Sequence, residues 1–70
     1  MTDSKIMEVC DHIYSLYYRV EYELKKLTKE ELNELEHRSD ELRNNPTQPW
    51  ALRAAAEITF VVARKHLRKL

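Results

Sequence analysis

Four side chains here suit nucleophilic, acid–base or metal chemistry: Cys10, His12, His37 and His66. Acid–base catalysis needs such groups gathered in a concave, water-excluding pocket. On one helix, ligands or catalytic partners that share a face stand three or four residues apart, as in H-x-x-x-H, and no two of these four do. Cys10 falls on an apolar seam with Ile6 and Ile13, where an unpaired cysteine behaves as a small hydrophobe, so burial is expected there. His12 lies on the opposite, polar face. His37 sits off the leucine stripe of its helix and His66 in a basic tail, so all three histidines are expected in solvent. Acidic pairs such as Glu30 and Glu34 share a face but mark hydrated surface. The expectation is a chain that is not an enzyme, with no catalytic residue, cofactor, metal ligand set or small-molecule substrate.

Other side chains suit recognition. Tyr14, Tyr18 and Tyr22 recur every four residues and drift from the apolar shoulder of the first helix onto its polar side. A tyrosine offers a large apolar body with a polar tip, which is why it is enriched at interfaces. Trp50, Ile58 and Val62 lie together on a second apolar side of the last helix and join the tyrosines as candidate partner-binding residues. Arg64, Lys65, Arg68 and Lys69 form the strongest basic patch. These bases complement the negative end of the helix dipole, and as an alternative they would contact nucleic-acid phosphates. Specific duplex reading favours polar residues on the recognition helix, whereas this helix is largely apolar. It also wraps apolar residues around most of its circumference, which favours burial in protein over a membrane surface.

The elements that carry these residues are helices. With no glycine and only Pro46 and Pro49 as prolines, the chain lacks the residue that tight hairpins and phosphate-cradling loops place at positive φ. A β-sandwich, a Rossmann unit and a P-loop are therefore not expected. Ile6, Cys10, Ile13, Tyr17, Val20, Leu24 and Leu27 alternate in steps of four and three, the seam of a packed helix. This predicts a first helix over residues 4–27, capped by Thr2 or Asp3. Thr28-Lys29-Glu30-Glu31 reads as a capping box and opens a second helix over 29–44. Its stripe of Leu32, Leu35 and Leu42, interrupted by Ser39, is thin, so this helix is expected to be the most solvated. A single helix running through both segments is the alternative, because no Gly or Pro forces a bend. Asn44 to Pro49 forms the loop, with asparagine suited to the left-handed conformation that ends helices. Pro49 then opens a third helix over 49–69.

Seventy residues make a single domain, an all-α unit of three helices. Helices two and three are expected to form an antiparallel hairpin, with helix one laying its seam on the third. Twelve basic and twelve acidic residues give zero net charge, but the charge is segregated: −1 over residues 1–27, −3 over 28–44 and +4 over 45–70. Intramolecular complementarity between the last two helices is the simplest reading. A lone cysteine and no apolar leader suggest a reducing cytoplasm, and no apolar run approaches the ~20 residues of a membrane span. So small a core, with surplus apolar surface on helices one and three, points to a homodimer or another oligomer. The expected function is a protein-interaction module: a small regulator, adaptor or chaperone-like subunit acting through apolar helix faces and self-association. The alternative is a nucleic-acid-associated regulator using the basic end of helix three.

Overall fold

The Thr28 hydroxyl accepts the Glu31 N–H at 3.2 Å, and the Glu31 carboxylate accepts the Thr28 N–H at 2.9 Å. This closed capping box is where the first two helices part. A computed structural model, describing residues 2–70, has three α-helices: α1 (Asp3–Leu24), α2 (Lys29–Arg43) and α3 (Trp50–Arg68). Thr2 caps α1 through its side chain. The continuous alternative for helices one and two is not observed, because Thr28 is extended (ψ 167°). The first helix also stops at Leu24, short of the expected Leu27, as the chain leaves it through a tightened turn with Leu27 N–H bonded to the Leu24 carbonyl at 3.2 Å.

The 44–49 loop closes without the expected left-handed asparagine: among the described residues none has positive φ, and Asn44 sits at φ −97°, ψ 1°. Asn45 makes the turn instead. Its side-chain oxygen accepts both the Thr47 N–H at 3.0 Å and the Thr47 hydroxyl at 2.6 Å, an Asx turn nested in a backbone turn. Its carbonyl accepts the Gln48 N–H at 3.2 Å across Pro46. Pro49 caps α3 rather than entering it.

Helices α2 and α3 pack closely. Leu24, Leu32, Val62 and Ala63 form a buried cluster, with Tyr17, Val20, Leu27, Leu35 and Leu67 half-buried around it. Ser39, the gap in the leucine stripe, is buried too, its hydroxyl donating to the Leu35 carbonyl at 2.7 Å. A small side chain that satisfies itself within its own helix lets α3 come close at Ala56. Arg43 joins the far end of the pair, bonding Asp40 at 2.7 Å and Glu57 at 2.8 Å, with its guanidinium 3.8 Å from the Phe60 ring centre. The expectation that α2 is the most solvated helix is therefore reversed. That helix is α1, exposed along residues 3–16.

Candidate interaction surface

Only the C-terminal third of α1 docks. Leu24 enters the core, and Glu21 bonds Lys65 of α3 at 3.2 Å. That contact holds the Glu21 carboxyl below its usual range, chiefly through the hydrogen bond from Lys65, and raises the Lys65 ammonium. Before Tyr17 the helix leaves the domain as an arm. Its stripe is then uncovered: Ile6 and Val9 are each 45% exposed, Ile13 54% and Leu16 51%. The expected packing of the whole seam on α3 is corrected here, and so is the burial of Cys10, which is exposed. The short 25–28 linker pivots α1 near Leu24, so a straight 22-residue helix, about 33 Å long at ~1.5 Å per residue, overshoots the body at its other end.

Where the arm meets the body, Leu16, Tyr17, Val20 and Leu24 of α1 face Leu35 of α2 and Ile58 of α3 across an open apolar groove of about 490 Å³, with Arg19 and Glu23 also on its wall. The exposed arm stripe and this groove form one continuous apolar surface, because Leu16 belongs to both.

The tyrosines lie to one side of it. The Tyr14 and Tyr18 hydroxyls share a 2.9 Å hydrogen bond and their rings meet edge-on, centroids 4.7 Å apart; the bond to Tyr18 raises the Tyr14 phenol above its ordinary value. Tyr22 carries the Lys26 ammonium 4.6 Å over its ring. All three rings are more than half exposed. Of the candidates on α3, Ile58 joins the groove. Trp50 stands exposed at the start of the helix and is not among the residues lining the groove. Val62 is wholly buried and so offers nothing to a partner: the turn of α3 that carries it is pressed between α1 and α2.

The basic patch is divided. Lys65 is engaged by Glu21, and Arg64 reaches back over Phe60, while Arg68 and Lys69 stand exposed at the helix end. Charge complementarity between α2 and α3 runs against the expected direction: their ion pair joins a base of the acidic helix, Arg43, to the acid of the basic one, Glu57. His12 and His37 are exposed, but His66 is half-buried, with its Nε2 lacking a hydrogen-bond partner, a correction to its expected solvation. Among the described residues no group of three or more His, Cys, Asp or Glu is placed to hold a metal ion, and no helix is long and apolar enough to cross a membrane. Of the residues on this surface that were not among the expected partner-binding positions, Ile6, Ile13 and Val20 belong to the four-three seam, while Val9 and Leu16 lie beside it and broaden it. What their spacing could not supply was which part of the seam the chain covers by itself.

Comparison with models of known families, with curated proteins and with solved structures finds no match.

Proposed function

We propose that this chain is a non-catalytic protein-interaction module, a small regulator or adaptor of the reducing cytoplasm, that binds through the apolar face of α1 and the groove at its base. The observation that carries this reading is the continuous uncovered stripe from Ile6 to Leu16, contiguous with the groove. An amphipathic helix with one bare side is the donor half of helix-in-groove recognition, and a bare groove beside it is the acceptor half. The body that supports the arm is an antiparallel α2–α3 hairpin. This orientation is supported by the opposite progression of its contacts: Arg43, at the end of α2, meets Glu57, whereas Leu32, near its start, clusters with Val62 and Ala63 further along α3.

Site-specific photocrosslinking tests the reading. With p-benzoylphenylalanine replacing Val9, illumination in native cells should give a protein adduct, while the same group replacing Glu34, on the solvated side of α2, should not. No adduct from position 9 sinks the proposal. The nucleic-acid reading has a narrower basis in Arg68 and Lys69, since Lys65 is already paired.

A further inference from the structure

Resting on the interaction reading above, we infer that the occupant of the α1 surface is a second copy of this chain, docked antiparallel, so that the arm of each protomer fills the groove of the other. The first argument is area. A folded monomer of 8.4 kDa is expected to expose ~4,600 Å², and this chain exposes 5751 Å². The excess of about 1,100 Å² exceeds the ~800 Å² that each partner contributes to a standard stable interface.

The second argument is self-complementarity. A two-fold interface matches a patch to itself, and α1 carries both halves of one: the bare stripe of the arm and the bare groove at its root. An antiparallel pair with its axis beside Ile13 and Tyr14 brings Ile6 of one chain level with the Val20–Leu24 stretch of the other, inside the groove. A parallel pair would lay arm on arm and leave both grooves empty. Charge agrees with the antiparallel register. Lys5, next to Ile6, arrives at Glu23 on the groove wall, and Asp3 at Lys25. Within one chain Lys5 and Glu23 have only exposed local partners, Glu8 at 3.7 Å and Lys26 at 3.8 Å, which are readily exchanged.

Cys10 serves as a built-in ruler. In this register the two Cys10 residues lie about seven to eight residues apart along the paired axes, or ~11 Å at ~1.5 Å per residue, beyond the ~7 Å limit for a disulfide. A parallel pair would place them face to face.

Light scattering on the full chain from micromolar to millimolar concentration should show the mass rising from 8.4 kDa to twice that value. Ile6→Glu should weaken association at least tenfold while leaving the helical circular dichroism of the body. Lys5→Glu or Glu23→Lys alone should weaken it several-fold and the double exchange should restore it, a rescue that a folding defect would not give. Mild oxidation should leave Cys10 uncrosslinked, whereas Ile13→Cys in a Cys10→Ser background, on the stripe and beside the axis, should crosslink. Rapid Cys10 disulfide formation overturns the antiparallel arrangement. A monomer at every concentration overturns the second copy as occupant; if position 9 still crosslinks to another protein, the interaction reading stands without it, and if it does not, both fall.

Discussion

Glu21 reaches from α1 to Lys65 of α3 at 3.2 Å, with its side chain only 18% exposed. Its folded pKa is depressed, so its contribution is complete above the ordinary Glu value of 4.5 and is lost as pH falls through the depressed value. Lys65 is raised, so its share is complete below 10.5 and is lost as pH rises through the elevated value. The contact therefore stabilises the docking of α1 between these limits. Glu21→Gln should lower the thermal midpoint at neutral pH, and the gap to the parent should close as pH drops below 4.5; a gap that stays constant down to pH ~2 would count against the assignment. In the core, Leu32 is 3% exposed. Leu32→Ala should cost about 2–5 kcal/mol, against a total of roughly 3–10 kcal/mol for a chain of this length. Urea denaturation should find this variant largely unfolded or barely folded, while Glu34→Ala on the exposed face moves the midpoint little.

At the scale of elements, α1 is two things in one helix. Its C-terminal third is held by Leu24 in the core and by Glu21 on Lys65. Its first four turns are exposed throughout, and a helix of about 14 residues with no covered face is marginal in water, because nucleation is costly and stability comes from packing. Order in the arm should therefore depend on its partner. Amide hydrogen exchange should show protection over residues 4–14 that rises with protein concentration, while α2, with its closed capping box and its close packing on α3, is equally protected throughout. Equal protection of arm and α2 in dilute solution would show that the arm holds itself.

The whole molecule is more extended than its length requires. Its radius of gyration is 13.9 Å, against ~11 Å for a spherical domain of this size, and its longest extent is 44 Å. The difference comes from the arm. Contacts made by Ile6, Val9 and Ile13 are apolar, and only the exposed charge pairs at their rim are screened by salt, so the dissociation constant should rise less than about tenfold between 0.05 and 0.5 M salt, whereas binding through neutralised phosphates falls by orders of magnitude over such a range. Isothermal titration or sedimentation across salt concentrations separates the two, and a steep loss would move the function to the basic end of α3.

What local chemistry dictates was legible from residues alone. Thr28 and Glu31 are three apart and close a capping box wherever the chain puts them. The lack of glycine removes hairpins and phosphate loops, and the four-three seam makes α1 a helix with one apolar face. These follow from bonds and periodicities spanning a single turn or two. Coverage does not. Whether Cys10 and Ile13 are sheltered, whether Val62 or Ile58 faces outward, and whether a thin stripe such as that of α2 is enough to be packed all depend on where helices cross. The crossing is set by a four-residue linker and by how close Ser39 and Ala56 let α2 approach α3. Periodicity names the face that needs a neighbour; only the tertiary arrangement decides whether the neighbour is in the same chain, and residues 3–16 it leaves exposed.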